Sequence, residues 1–564
     1  MSRLSASYES LRLYERICCK EKMKRLITWC ILLTSYVCNA QQWQWAKHIG
    51  SGYQFYGERA NSAVTDGTNT YIIGSYGGTL YLPGDTLYSN GNDDIFIAKF
   101  DAAGNNVWAR TIGGNYMQPD HHEGGNGVFD PVNNCLYISG NVIGFVNFGN
   151  GITLNGFPNS EDAFVAKYDL NGNCLWAKGI GSVGSDNAYC FAQPDGNVLL
   201  AGKLENNGFA GTAVIDSGGF FARYDTNGNL LWAEHKFSGP EQYVISIAFI
   251  GSDIIMGAYF SVNNSTIDTV TLSLTGTING FVTRMDSLGN VKWLQAFAGP
   301  GTNGISGVGI DALDNIYATG GFEDSLLLNG TTLYNSSGRD FLLAKFTPNG
   351  SIVWTRQLNA TGGTISGGIS LSSDTDGNCY VSGIFSGTAS FGTCNVNTSN
   401  TYDMFISRFN NNGDCLGVRH FGQAAGSTFT VDNLGSVYCA GAFFNTVNIG
   451  STSMTALLGQ DIYLAKIDAI TGIGGGEGRM ANNQLLIYAN PNAGKCNITV
   501  PDDFLHEKNL TLSIYDNTGK LIQQKTLEMN DGNIKLNLEQ EAKGVYNVTL
   551  ANKKKSYSGK IVFE

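Results

Sequence analysis

Four consecutive residues, Asp120-His121-His122-Glu123, form the one dense set of metal-ligating and proton-transferring groups in the chain. Imidazoles and carboxylates are the donors that divalent metals and polar ligands take. The set falls in a connection of 32 residues, Trp108 to Gly140, where corresponding connections run 24 to 29. His121, His122 and Glu123 are therefore the candidate ligand-binding residues. A solvated polar loop is the preferred reading of the same stretch. Three further histidines, His48, His235 and His420, recur three places after a tryptophan slot, so they read as a structural position on an outer strand. Asp374-Thr375-Asp376-Gly377 looks acidic enough for calcium. In an EF-hand frame, however, Ser372 takes position 1 and Gly383 position 12, where a glutamate is needed. Asp195-Gly196-Asn197 occupies the same repeat position, and turn chemistry accounts for both. No G-x-S-x-G and no Ser/His/Asp set occurs. No catalytic residue, metal or cofactor is expected.

The elements that would position any site are written by a repeat. DAFVAKYDLNGNCLWAKGIGS at 162–182 is a near copy of DIFIAKFDAAGNNVWARTIGG at 94–114. Copies start at Asp94, Asp162, Gly218, Asn279, Asp340, Asp403 and Asp461, spaced by 68, 56, 61, 61, 63 and 58 residues. A fixed period of this kind marks a repeat architecture. FVAKYD alternates apolar and polar residues, the period of a strand. D-x-x-G-N then makes a hairpin loop, with Asp bonding its own backbone and Gly supplying positive φ. LWAKGIG is the partner strand. An upstream strand ends in Gly74, Gly140, Gly202, Gly257, Gly320, Gly383 or Gly441, and a shorter apolar segment precedes it. The unit is thus about four strands, A to D.

Seven four-stranded antiparallel units predict an all-β fold, a seven-bladed β-propeller. Trp108, Trp176, Trp232, Trp293 and Trp354 lie fourteen residues after their anchors, and Gly417 fills the sixth slot. No such strand follows Asp461. The missing strand is Trp45 to Gly50 at the other end of the chain, which is expected to complete the last blade and leave no open edge. The recurring hairpin, Trp and Tyr-x-x-Gly resemble the SBBP-type β-propeller repeat of secreted bacterial proteins over residues 41–472. That resemblance carries no catalytic motif.

The bulk numbers agree with this class. Gly makes up 73 of 564 residues, Pro only 10, and 42% of residues are apolar. The formal net charge is −12 and the longest basic run is Lys553-Lys554-Lys555, so nucleic acid is excluded as a partner. From Met23, Lys24 and Arg25 precede an apolar run, Leu26 to Val37, too short to span a bilayer. Residues 23–40 read as a signal peptide cleaved after Ala40. A lipoprotein reading through Cys38 is the alternative. Residues 1–22 read as a non-native upstream leader, a long natural leader being the other possibility. No later segment is transmembrane. Eight of the twelve cysteines remain after residue 40, as buried thiols or one or two disulfides.

IGGGEGRMANN supplies a linker at 473–483. Residues 484–564 carry more Lys and read as a small Ig-like β-sandwich. Asn490, Pro491, Asn492 and Gly494, then Tyr515, Asp516, Gly519 and Lys520, then Gly544, Val545 and Tyr546, then Lys560-Ile561-Val562 look like the type A C-terminal sorting domain of type IX secretion. Ala489 stands where that family usually carries Pro. The resemblance implies that the type IX machinery is a partner, and in that family the tail is usually cleaved. The passenger is then released or held at the cell surface.

The resulting expectation is a secreted or surface propeller that binds a glycan or protein without catalysis. Two alternatives stand beside it. One is a propeller enzyme, either a polysaccharide hydrolase or lyase or a dehydrogenase resembling quinoproteins, whose blades share the D-x-x-G-x-x-x-W phrase. The other is a structural surface or matrix component.

Overall fold

The computed structural model describes residues 43–51, 58–114, 124–157, 160–238, 242–328, 330–361, 364–374, 377–422, 424–432, 434–468, 470, 472–473, 485–488, 494–500, 504, 509–516, 520–527, 533–552 and 556–563. No α-helix lies among them. The chain divides into two compact units, residues 1–476 and 477–564.

The first unit is all-β and propeller-like. In the second repeat, strands Gly124–Asp130, Cys135–Ile143, Glu161–Asp169 and Cys174–Gly181 pair antiparallel in that order. The same A-B-C-D order recurs along the unit. The A strands are Arg59–Thr65, Gly124–Asp130, Asn187–Ala192, Gln242–Ile250, Gly304–Ile310, Ile365–Ser373 and Ala424–Val431. The D strands are Asn106–Ile112, Cys174–Gly181, Leu230–Ser238, Val291–Phe297, Ile352–Thr361, Cys415–Gly422 and, from the start of the chain, Trp43–Ser51. Trp43–Ser51 pairs antiparallel with Thr452–Ile467, Trp45 opposite Lys466 and His48 opposite Tyr463.

Three sets of contacts join one repeat to the next. The first lies along the A strands. Every A strand except Asn187–Ala192 shifts register once, as between Ala60 and Ser62 or Gly124 and Asn126. A β-bulge re-aims the residues that follow it. Ser62 Oγ donates to Gly127 O at 3.2 Å, Asn126 Nδ2 to Cys190 O at 2.9 Å and Ser246 Oγ to Val308 O at 3.4 Å. The last A strand meets the first, where Ala63 N donates to Thr428 Oγ1 at 3.1 Å.

The second set explains the tryptophan. Except at Trp232, the slot indole of one repeat donates to the second residue of the turn between strands C and D of the next repeat. Trp108 reaches Leu170 O at 3.1 Å, Trp176 reaches Thr226 O at 3.1 Å, Trp293 reaches Pro348 O at 3.0 Å and Trp354 reaches Asn411 O at 2.9 Å. Trp45, from the N-terminal strand, reaches Ala102 O in the first repeat at 3.0 Å. Gly172 has φ +80°, and a Cβ there would lie 3.0 Å from the Trp108 ring. Its glycine therefore serves both the turn and the indole seat. The lysine of A-K-Y-D joins the same seat, Lys99 Nζ donating to Leu170 O at 3.1 Å and Lys167 Nζ to Thr226 O at 2.9 Å.

The third set was not legible beforehand. Beyond the four strands, the B–C connection extends as a hairpin onto the preceding repeat's D strand. Tyr81 pairs with Gly50, Asn147 with Gly113, Ala210 with Ile180, Ile267 with Phe237, Leu327 with Ala298 and Ser390 with Asn359. On Cys415–Gly422 the partner is instead Gly472–Ile473, parallel, with Gly472 opposite Gly417. The slot that lacks tryptophan is the one covered by the chain leaving the repeats, and Ile470, two residues before that pairing, is fully buried.

Of the eight cysteines after residue 40, Cys394 and Cys415 form a disulfide within the sixth repeat. Cys135, Cys174, Cys190, Cys379, Cys439 and Cys496 are buried thiols. Burial raises all six thiol pKa values, to about 12 at Cys174, which leaves them unreactive.

The second unit places two sheets around one core of residues such as Ile498, Ile514, Leu536 and Val548. One sheet is Leu486–Tyr488, Lys495–Thr499 and Asn533–Asn537. The other is Leu521–Leu527, Leu510–Tyr515, Gly544–Ala551 and Ser556–Phe563.

Candidate functional site

The residue that opens each C strand is where acid chemistry would be sought. Asp94, Asp162, Asp340, Asp403 and Asp461 are all buried, at most 4% exposed. Each is engaged in its own repeat. Asp94 Oδ2 accepts from Asn90 N at 2.7 Å, Asp162 Oδ2 from Phe157 N at 2.5 Å and Asp461 Oδ2 from Leu457 N at 2.8 Å. These bonds fix the chain as it returns from the B–C hairpin. A Cβ on Gly181 would meet Asp162 Oδ1 at 2.0 Å, so the glycine of I-G-S admits the carboxylate against strand D. Burial pushes Asp94 up to about 6 and Asp162 up to about 7.

The repeat histidines answer to the same residue. His48 Nε2 lies 2.5 Å from Asp461 Oδ2, and His420 Nδ1 lies 2.8 Å from Asp403 Oδ2. Each pair ties strand D to strand C of one repeat. In the third repeat the anchor is Gly218, and His235 Nε2 is buried with no hydrogen-bond partner among the described residues. His–Asp pairs of this kind are repeat architecture, as the recurrence of the position foretold.

The acidic turns are likewise structural. Asp374 Oδ1 accepts from Asn378 N at 2.9 Å, and Asp195 Oδ1 accepts from Asn197 N at 3.1 Å. Among the described residues, no group of three or more His, Cys, Asp and Glu side chains is placed to hold a metal. His121, His122 and Glu123 lie outside the described residues.

One arrangement was missed. Glu161, immediately before an anchor, and Glu205, from the next repeat's B–C connection, both accept from Ser185. Ser185 Oγ meets Glu161 Oε2 at 2.5 Å, and Ser185 N meets Glu205 Oε2 at 2.6 Å. A short parallel bridge between Glu161 and Ser185 sets this register, and Asp186 below accepts from Ser182 Oγ at 2.8 Å. Ser185 and Glu205 are exposed, beside Val183 at 72%. The only signal in the sequence was that these positions vary between copies while the phrase does not. The pair can bind a polar or cationic group, and two carboxylates on neighbouring elements are also the raw material of glycosidic acid–base chemistry.

In the second unit, Asn490, Pro491, Asn492 and Gly519 lie outside the described residues. Gly494 has φ +95° and its carbonyl accepts from Leu538 N at 2.6 Å. Asp516 N donates to Lys520 O at 3.0 Å, while Asp516 Oδ1 accepts from Lys520 N at 3.0 Å. Tyr515 ends one strand, Gly544 begins another, and Tyr546 OH donates to Ala542 O. These residues lock turns and strand ends.

A family model, the secretion system C-terminal sorting domain, matches residues 486–564. Those residues are a type IX sorting domain. The sorting domain marks the chain for export to the cell surface or beyond it. Among the described residues no helix is long and apolar enough to cross a membrane. Over 345 residues, 49% of this chain, the sequence is 23% identical to the uncharacterized WD repeat-containing protein L264 of Acanthamoeba polyphaga mimivirus. The chain spans 25% of that relative's length. Among solved structures, a polysaccharide lyase, an ulvan lyase, overlaps 73% of this chain and 96% of its own at 10% identity and a TM-score of 0.37. The endosialidase of phage phi92 overlaps 92% and 87% at 11% identity and a TM-score of 0.33.

Proposed function

We propose that the protein is a secreted or surface-held seven-bladed β-propeller that binds a glycan or protein ligand without catalysis. In this reading residues 41–472 form the ring, closed by Trp43–Ser51. Residues 1–22 are a non-native leader and residues 23–40 a signal peptide. Residues 473–483 are a linker, and residues 484–564 an Ig-like sandwich that engages the type IX machinery. The ring reading is supported by the recurrence of one strand order and by the bonds from Trp45 to Ala102 and from Ala63 to Thr428. SBBP-type repeats would account for the recurring phrase.

One observation carries the non-catalytic reading. The buried acids and histidines that could do chemistry hold strands C and D together, at Asp461–His48 and Asp403–His420. That leaves the variable connections to meet a ligand, with Glu161, Ser185 and Glu205 as the described group and His121, His122 and Glu123 as further candidates. The exported chain should give saturable binding on a glycan array or in a pulldown, weakened by Glu161→Gln and Glu205→Gln together. Turnover of a polysaccharide that disappears in the same double variant would overturn the reading. It would favour the second one, a polysaccharide-active enzyme, which the two glutamates on Ser185 support.

A further inference from the structure

The place where the N-terminal strand docks buries four acids, Glu58, Asp93, Asp94 and Asp461. Glu58, which enters the first A strand, is 1% exposed. Its carboxyl accepts from the hydroxyl of Ser51, the last residue of the N-terminal strand. Its carbonyl accepts from Gln460 Nε2 at 3.0 Å. The groups around it come from every strand that meets there. Trp43–Ser51 brings His48, Asp85–Phe100 brings Asp93 and Asp94, Thr452–Ile467 brings Asp461, and Arg59, the residue after Glu58, opens the first A strand. Asp93, Asp94 and Asp461 are each at least 92% buried. Like charges held this close out of water cannot all ionise without cost.

We propose that this seam is a proton-operated latch, in which protonated Glu58 holds the N-terminal strand docked through Ser51 and ionised Glu58 lets it loosen. A neutral carboxyl sits beside Asp461 and Asp93 without repulsion, whereas a carboxylate adds a further negative charge to the same buried space. The shift expected from that geometry is present. Burial first, then the charges of Asp461 and Asp93, raise Glu58 to about 7 against the lowering from the Ser51 hydroxyl. With the strand undocked, Glu58 returns toward its ordinary value of 4.5. A group raised in the closed state stabilises that state fully below the open-state value. The stabilisation is lost as pH rises toward 7 and is level above it.

Hydrogen exchange on the full chain tests this, read on Trp43–Ser51 and, for comparison, on Val291–Phe297. In the latter's repeat the anchor is Asn279, which does not titrate. After correction for intrinsic exchange, protection of Trp43–Ser51 should fall between pH 5 and 7 by up to tenfold per pH unit, the limit for one coupled proton. Val291–Phe297 should fall less steeply, and Glu58→Gln should bring Trp43–Ser51 down to that shallower slope. A slope in Trp43–Ser51 left unchanged by Glu58→Gln, or equal slopes in both strands of the native chain, would overturn the proposal. If Glu58→Gln does not fold, Asp461→Asn serves instead. Removing that neighbouring charge should end the fall at a lower pH, and an unchanged window would overturn the latch.

Discussion

Two turns with one grammar sit in the two units of this molecule. Asp169 to Asn173 joins strands C and D of the second repeat, and Asp516 to Lys520 joins two strands of the sorting domain. In both, the first residue's N–H donates to the fifth residue's carbonyl at 3.0 Å, and its carboxylate accepts from the fifth residue's N–H. The local chemistry is the same. The surroundings differ. The first turn receives the Trp108 indole and the Lys99 ammonium from the preceding repeat, whereas the sorting-domain sequence contains no tryptophan. A turn motif thus closes a hairpin wherever it occurs and becomes a joint between repeats only where a neighbour presents a donor to its carbonyl.

The widest difference between the units is in transport. Deleting residues 486–564 should leave the repeats folded and abolish surface delivery, checked by fractionation and protease shaving. Normal delivery would separate the sorting domain from export.

The joint itself comes next. Every tryptophan after residue 40 lies in the repeats, so indole fluorescence during urea unfolding reports the first unit alone. Trp108→Ala should cost about 3 kcal/mol there. Trp232 has its indole nitrogen buried without a hydrogen-bond partner among the described residues. Trp232→Ala should therefore cost about 1 kcal/mol less, the net worth of one hydrogen bond. Equal losses would remove the turn carbonyl from the account of the joint.

The repeats should also respond to pH through their anchors. Asp162, raised by burial to about 7 from its ordinary 3.8, stabilises the fold at low pH and loses that contribution as pH rises toward 7. Urea midpoints by fluorescence should fall over that range, less steeply in Asp162→Asn.

The smallest effects separate the turns. Gly172→Ala should cost about 1–2 kcal/mol, because φ +80° disfavours a side chain and the Cβ meets Trp108. Asp516→Ala should cost about 1 kcal/mol, read as lost exchange protection in Leu510–Leu527 with the fluorescence midpoint unchanged.

Much of the fold was legible because its signals are local and repeated. The D-x-x-G turn and the alternation in FVAKYD identify a hairpin without knowledge of its neighbours. The missing seventh Trp strand pointed across the chain to Trp45, whose strand pairs with Thr452–Ile467. The B–C hairpins that pair with the preceding D strand were not legible, because their partners lie one repeat away and their own sequences vary. The same holds for Glu161, Ser185 and Glu205, which share no motif and meet only because a parallel bridge aligns two connections. Tyr515, Asp516 and Lys520 were read by resemblance as sorting residues, and their bonds are those of a turn and a strand end.

The amino-acid sequence alone determined an all-β, glycine-rich repeat protein with a sorting tail, since period, turn chemistry and alternation are properties of neighbouring residues. Tertiary structure decided what each recurring residue is for. The indole became a joint, the anchor acid a brace for strand D, and Gly417 the seat of the departing chain. Those roles depend on which atoms face each other across repeats about sixty residues apart, and only packing brings them within hydrogen-bond range.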